Sequence, residues 1–233
     1  MISDFRMSAT DMLFTLKKRA VLHARRVLRP TATVEVAGRR LTFKTDTVAA
    51  TKAIKDSDER PNIEWLANRA TGTFWDIGAN RGLFSAAVPC RTISFEPDIR
   101  LHPELIDNVR RNSTDCIMSS LALADNEEWI TLEVNQNVGT NPITARSVRG
   151  DTLVDANIYP SPSMVKIDVE GMELAVLKGL NKTLENVDTV LIEAHSSELF
   201  RECMTFLEDR RFETEEYTIP GRDGTPYIRA TME

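Results

Sequence analysis

The fold of this chain is decided by the stretch Phe74-Trp75-Asp76-Ile77-Gly78-Ala79-Asn80-Arg81-Gly82. Residues 73–77 are mostly apolar and predict a short buried strand, and residues 78–82 predict a tight loop because glycine and asparagine tolerate positive φ. Residues 83–88 then begin a helix. A strand that turns sharply into a helix directs free backbone N–H groups at whatever lies above the turn. The loop therefore predicts a ligand-binding site.

A second apolar run, at 92–95, ends in Glu96, which follows Asp76 by twenty residues. At this spacing the second strand of a nucleotide-binding fold presents an acid to a ribose. The loop itself reads Asp-x-Gly-x-Asn-x-Gly and differs from the Gly-x-Gly-x-x-Gly of dinucleotide-binding folds. An ordinary strand–loop–helix turn is the simpler interpretation of the loop alone, but together with Glu96 it predicts a nucleoside pocket.

Strands and helices alternate from residue 73 onwards, which predicts an α/β fold with a mainly parallel sheet and helices on both faces. The last two expected strands have no long helix between them and therefore predict an antiparallel edge. The expected strands lie at 73–77, 92–96, 116–120, 129–135, 164–168, 189–194, 212–218 and 227–232, the helices at 82–88, 99–112, 171–180 and 197–210, and a loop that could border an acceptor at 139–150.

Residues 1–70 are interpreted as an N-terminal extension packed on a core over 71–233, within a single domain. A hairpin over 33–44 and helices over 47–55 and 61–69 are expected after a basic helix over 8–29. This basic helix could lie on an anionic membrane or on a partner. A capping helix with a solvated basic face is favoured, because its apolar stripe is broad and ordinary.

Composition narrows the class of protein. The chain has 233 residues, 42% hydrophobic and 27% charged, which is ordinary for a globular domain. Its net charge is −6 although residues 1–30 are basic, so the body is acidic and nucleic acid is not an expected partner. The sequence contains neither a signal peptide pattern nor an apolar run of about 18 residues. Three widely spaced cysteines are expected to be reduced, as in a cytoplasmic protein.

Three segments carry a resemblance to a known family: Trp75 to Gly82, Phe95-Glu96-Pro97 and Lys166-Ile167-Asp168-Val169-Glu170-Gly171. Together they resemble the FkbM family of S-adenosylmethionine-dependent methyltransferases. The resemblance implies a class I, Rossmann-like fold with a seven-stranded sheet. It also implies methylation of a hydroxyl on a small molecule, a sugar or a polyketide-like compound.

The resemblance implies a cofactor site for S-adenosyl-L-methionine at the loop and at the ends of the first three core strands. The loop would surround the methionine part, the acid would hold the ribose hydroxyls, and the segment after the third strand would border the adenine. In that order, the expected residues are Asp76, Gly78, Asn80 and Gly82, then Glu96, then Ser120, Leu121 and Ala122.

Candidate catalytic residues follow the next two core strands. Lys166 and Asp168 alternate with apolar residues and therefore share one face of a strand. A structural ion pair is one interpretation, since buried charges need partners. In the other, Asp168 or Glu170 removes the acceptor proton or holds a divalent cation such as Mg²⁺. His195, after the following strand, is a candidate base or substrate contact.

Three alternatives to a small-molecule O-methyltransferase remain open from the sequence. The chain could be a non-catalytic domain that binds S-adenosylmethionine or a partner. It could be a methyltransferase that docks RNA or protein through the basic helix at 8–29. It could also be a nucleotide-sugar or NAD enzyme, although the missing third glycine of the dinucleotide pattern disfavours this reading.

Overall fold

The structure is a computed structural model that describes residues 31–44, 59–132, 142–219 and 226–232. The basic helix expected at 8–29, the helix expected at 47–55 and the strand residues expected at 133–135 lie outside these described residues.

A seven-stranded sheet forms the centre of the described residues. Its strands are β3 (Thr73–Ile77), β4 (Arg91–Phe95), β5 (Cys116–Ser119), β9 (Met164–Ile167), β10 (Thr189–Glu193), β11 (Phe212–Tyr217) and β12 (Tyr227–Met232). Their order across the sheet is β11-β12-β10-β9-β3-β4-β5, in which β10, β9, β3, β4 and β5 are parallel and β12 runs antiparallel to both of its neighbours. This is the α/β fold with an antiparallel edge that the sequence predicts.

The helices between these strands begin and end close to the predicted positions. The longest of them starts at a serine: Ser196 Oγ accepts a hydrogen bond from Leu199 N at 3.1 Å, which satisfies one of the free donors of the first turn. The helices are α1 (Arg60–Ala67), α2 (Leu83–Ala87), α3 (His102–Arg111), α4 (Gly150–Asp155), α5 (Glu173–Gly179) and α6 (Ser197–Glu208), with a 3₁₀ turn at Thr183–Asn186.

The two faces of the sheet form two hydrophobic clusters. Because side chains alternate along a strand, Trp75 and Ile77 face a cluster with residues of α4, α5 and α6, while Phe74 faces a second cluster with residues of α1 and α2. Asp76 and Lys166 lie on the Phe74 side, and both are almost completely buried. The sheet therefore encloses two charged side chains below the end of β3.

A hairpin of β1 (Thr31–Val36) and β2 (Arg39–Lys44) packs on the core at α3. Asn112 Oδ1 accepts a hydrogen bond from Thr42 N, and Asn108 Oδ1 accepts one from Lys44 N, both at 2.8 Å. The two asparagine side chains thus provide hydrogen-bond partners for backbone N–H groups of β2.

A small three-stranded sheet corrects one prediction. The loop expected at 139–150 is wrong from residue 143 onwards. There β8 (Ile143–Val148) pairs with β6 (Ala122–Leu123) and β7 (Trp129–Leu132), and α4 begins at Gly150. The physical reason is that β8 is stabilised by backbone pairing with β6 and β7. Its own sequence mixes polar and apolar residues and does not predict a strand. Residues 139–141 of that expected loop lie outside the described part of the chain.

Within the described ranges, the longest apolar helical stretches fall short of the length and hydropathy needed to cross a membrane.

Candidate active site

A pocket of about 170 Å³ opens at the carboxyl ends of the parallel strands, next to the point where the strand order reverses between β3 and β9. Ligands of open α/β sheets bind in this crevice. The pocket is lined by Ile77, Gly78, Asn80, Phe95, Glu96, Pro97, Asp98, Leu101, Leu121, Ala122, Leu123, Leu132, Ile143, Asp168, Val169, Glu170 and Met172. Seven residues expected at the site from the sequence are among them.

Gly78 brings the loop after β3 into contact with the loop after β9. Its φ is +80°, and a Cβ atom there would lie 1.8 Å from the carbonyl oxygen of Asp168. Only glycine fits this position, since any side chain would meet backbone that cannot move aside. The close approach places the two loops that border the pocket side by side.

Glu96 lies at the end of β4 with both carboxylate oxygens held by backbone. Oε2 accepts a hydrogen bond from Asn80 N at 2.7 Å, and Oε1 accepts one from Asp98 N at 2.8 Å. Burial raises the pKa of Glu96, and these two N–H groups partly offset that rise. A carboxylate can accept about four hydrogen bonds, so each oxygen retains a lone pair for a ligand hydroxyl. The arrangement fits a ribose.

Two of the expected cofactor residues lie below the pocket surface. Asp76 is 0% exposed, and its Oδ2 accepts a hydrogen bond from Ser85 Oγ at 2.5 Å. Gly82 is buried against Leu105 with φ of +75°. Helix α2 begins after Gly82 and spans only five residues. Both residues therefore shape the loop from beneath.

At the expected adenine end, Leu121 and Ala122 line the pocket, whereas Ser120 is exposed and is not among the lining residues. Asp98 also lines this end. Its carboxylate receives two hydrogen bonds from the Arg100 guanidinium at 2.8 Å, which lowers the pKa of Asp98. Asp98 lies two residues after Glu96, but no local sequence pattern predicts its place in the pocket.

Lys166 joins the two acids on its face of the sheet. Its Nζ lies 3.1 Å from Asp168 Oδ2 and 3.4 Å from Asp76 Oδ1, and it donates to the carbonyl oxygen of Gly78 at 3.2 Å. Burial alone would lower the pKa of Lys166, but the charges of Asp168 and Asp76 outweigh it and the pKa is raised. Lys166 is thus a permanent cation beneath Asp168.

His195 lies beyond Asp168, at the end of β10. Its Nδ1 is 2.5 Å from Glu173 Oε1, and its Nε2 is 3.6 Å from Glu170 Oε2 and 3.9 Å from Asp168 Oδ1. The hydrogen bond to Glu173, opposed by partial burial and reinforced by the charges of all three acids, raises the pKa of His195 to about 9. At neutral pH His195 is therefore an imidazolium and has no free lone pair.

Glu173 is a site residue whose partner sequence reasoning missed. It stands in the first turn of α5, where a negative charge is favoured electrostatically. Its contact with His195 joins residues 22 apart on different elements, and no local pattern signals such a contact. The closely spaced acids at 168, 170 and 173 indicate an acidic cluster but do not identify His195 as the partner.

In residues 31–44, 59–132, 142–219 and 226–232, no group of three or more His, Cys, Asp or Glu side chains has the arrangement of a metal site. The three cysteines are free thiols.

The sequence matches one family model, the Methyltransferase FkbM domain, over residues 76–214. A hexuronic acid methyltransferase, AglP of Haloferax volcanii, is 28% identical over 194 residues, which cover 78% of this chain and 81% of that protein. The family match spans more than half of the chain and includes the loop, the ends of β4 and β9, and His195.

Solved structures support the same fold. An FkbM methyltransferase from Methylobacillus flagellatus aligns with a TM-score of 0.56 at 14% identity and covers 94% of this chain and 60% of that one. An O-methyltransferase from Bacillus cereus aligns with a TM-score of 0.53 at 10% identity, over 79% of this chain and 86% of that one. Methyltransferases of this fold use S-adenosylmethionine, and the pocket residues suit it. The chain belongs to the FkbM-domain family and is an S-adenosylmethionine-dependent methyltransferase.

Proposed function

We propose that this enzyme methylates a hydroxyl oxygen of a sugar and that Asp168 is the general base. The observation that carries the proposal is that Asp168 lines the same pocket as Glu96, at the end of the neighbouring half of the sheet. A cofactor acid and a second acid thus border one cavity. The relative AglP is named a hexuronic acid methyltransferase, which supports a sugar as the acceptor class.

S-adenosylmethionine would supply a methyl group bound to a positively charged sulfur. In the proposed site the ribose hydroxyls donate to Glu96, whose oxygens are already fixed by Asn80 N and Asp98 N. Gly78 and Asn80 bring loop backbone to the methionine part, and Leu121 and Ala122 border the adenine. Asp76 and Gly82 support the loop from below, and Ser120 has no direct contact in this proposal.

The acceptor hydroxyl attacks the methyl carbon, the new C–O bond forms as the C–S bond breaks, and the electron pair of that bond stays on sulfur. The hydroxyl proton moves to Asp168. Lys166 donates to Asp168 Oδ2, so Oδ1 is the oxygen left to receive it. A correctly placed base of this kind contributes about 10²–10⁴ in rate. Neither this step nor the binding of the cofactor requires a divalent cation.

The acceptor class is tested by incubating the enzyme with methyl-labelled S-adenosylmethionine and four sugars: glucuronic acid, galacturonic acid, glucose and galactose. Bulk RNA and casein serve as the acceptors that the rival functions require. We expect label in a sugar as a methyl ether, which survives mild alkali, and activity that is unchanged by EDTA.

Two outcomes would contradict the proposal. Label that mild alkali removes would be a methyl ester. A carboxylate oxygen carries no proton at neutral pH, so Asp168 would then have nothing to accept. Label in RNA or protein with none in the sugars would instead support the rival acceptors.

A further inference from the structure

A fully buried carboxylate lies behind the acceptor side of the pocket and has no part in the proposed reaction so far. Glu173 is 0% exposed, stands in the first turn of α5 and is not among the pocket-lining residues. Helix N-termini favour acids, but that preference is satisfied at the surface and does not require burial. The position of Glu173 needs another explanation.

The contacts of Glu173 point towards His195. Oε1 lies 2.5 Å from His195 Nδ1 and accepts a hydrogen bond from Gly171 N at 3.0 Å. Oε2 is buried and accepts no hydrogen bond among the described residues. Burying a carboxylate is costly unless its charge is compensated. Among the residues that the structure describes, the charged partner at hydrogen-bond distance is the imidazole, so the two side chains form a unit.

This unit has the geometry of a buried acid that orients a histidine. With Nδ1 bound to Glu173, the other ring nitrogen, Nε2, faces Asp168 and Glu170 at the rim. The His195 side chain is 26% exposed, so a ligand can reach it. The hydrogen bond to one ring nitrogen determines how the ring is oriented and whether the other nitrogen carries a proton.

We propose that Glu173 is a positioning residue for methyl transfer, which fixes His195 so that Nε2–H donates a hydrogen bond to an acceptor oxygen beside Asp168. This inference rests on the proposed function. It adds a donor to a site whose other groups at that end, Asp168 and Glu170, are acceptors. A sugar has neighbouring hydroxyls, so one can donate to Asp168 while the oxygen of another accepts from His195.

The charges around His195 agree with a donor. Glu173 faces it from α5, and Asp168 and Glu170 face it from the loop after β9, while Cys203 of α6 lies near Glu173 and Lys166 lies beyond Asp168. Glu193, the last residue of β10 and two residues before His195, acts on Lys166. With a pKa of about 9, His195 keeps both ring protons at neutral pH. The proton lost by the acceptor therefore goes to Asp168, and His195 keeps its own.

The direction of the pH profile separates a donor from a base. We expect kcat/KM of the wild-type enzyme to fall as pH rises through about 9, because His195 loses Nε2–H. In Glu173→Gln the fall should move by at least one pH unit towards the ordinary histidine value of about 6.5, with S-adenosylmethionine affinity unchanged. Glu198→Gln, the same substitution in the exposed first turn of α6, should keep the wild-type profile. A wild-type rate that rises through pH 9, or a fall that stays in place in Glu173→Gln, would overturn the proposal.

A second readout needs neither acceptor nor turnover. Proton NMR of the three histidines, with His195 assigned by its loss in His195→Asn, gives its pKa in the free protein. We expect a value near 9 in the wild type and a decrease of at least one unit in Glu173→Gln. Equal values would refute the positioning role even if the acceptor is a sugar. A shifted pKa without sugar methylation would leave the Glu173 contact standing and refute the proposed function instead.

Discussion

At the scale of single residues, Glu96 combines the two properties that a ribose-binding acid needs. It is nearly buried, which excludes competing water, and backbone N–H groups from two segments fix both oxygens. Burial raises the pKa of Glu96, and the hydrogen bonds from those N–H groups partly offset the rise. Holding the carboxylate in place before the ligand arrives reduces the entropy lost on binding.

We expect Glu96→Gln to weaken S-adenosylhomocysteine binding by about tenfold to a hundredfold, since a lost hydrogen bond to a charged group costs about 1.5–3 kcal/mol. Calorimetry with S-adenosylhomocysteine and with an analogue that lacks the ribose 2′-hydroxyl measures this contact. The analogue should bind the wild type more weakly, and that penalty should largely disappear in Glu96→Gln. Equal penalties in both proteins would show that Glu96 does not hold the ribose.

Single residues also show where sequence reasoning ends. The loop and Glu96 could be recognised because the contacts of a strand end and a tight turn are local, and Asn80 does adopt positive φ. The Glu173–His195 contact could not, because it depends on how α5 packs beside the end of β10. The roles of the site residues in cofactor binding and catalysis stay predictions.

At the scale of elements, Asn108 of α3 connects the hairpin to the loop at 78–82. Its Oδ1 accepts a hydrogen bond from Lys44 N, and its Nδ2 donates to the carbonyl oxygen of Arg81, each at 2.8 Å. Its neighbour Asn112 contacts Thr42 on the same hairpin but does not contact the loop. One asparagine thus links three elements, and the other links two.

Asn108→Ala and Asn112→Ala form a matched pair for this linkage. Each should lower the free energy of unfolding by about 1–3 kcal/mol, because partly buried partners lose their hydrogen bonds. Only Asn108→Ala should also weaken S-adenosylmethionine binding, since only it releases the carbonyl of Arg81. Urea unfolding and calorimetry measure the two effects. Equal cofactor affinities in the two variants would contradict a link between the hairpin and the loop.

The elements themselves were largely predictable. Strands such as β3 and β10 are mostly apolar, and such runs are typical of parallel strands buried on both faces. The segment at 143–148 was not predicted as a strand, because its polar residues acquire a β conformation only through pairing with β6 and β7. Where the local sequence pattern is weak, contacts between elements determine the secondary structure.

At the scale of the whole molecule, the order of the sheet determines which residues meet. The strand β3 lies between β4 and β9, so the ends of these three strands bring Glu96, Gly78 and Asp168 around one pocket. The end of β10 adds His195 beside Asp168. Glu96 and Asp168 are 72 residues apart in sequence and yet border a single cavity. The proposed task of Glu96 is to bind the ribose, and that of Asp168 is to accept the proton.

The most direct test of the account is the single-turnover rate of methyl transfer in Asp168→Asn, measured with S-adenosylmethionine and the best sugar acceptor at saturating cofactor. The amide keeps the shape and the contact with Lys166 but cannot take a proton. We predict that cofactor affinity and melting temperature stay close to the wild type while the rate falls by about 10²–10⁴. A rate equal to that of the wild type would contradict the assignment of Asp168 as the base. A parallel loss of stability and cofactor affinity would show that Asp168 serves only as the structural partner of Lys166.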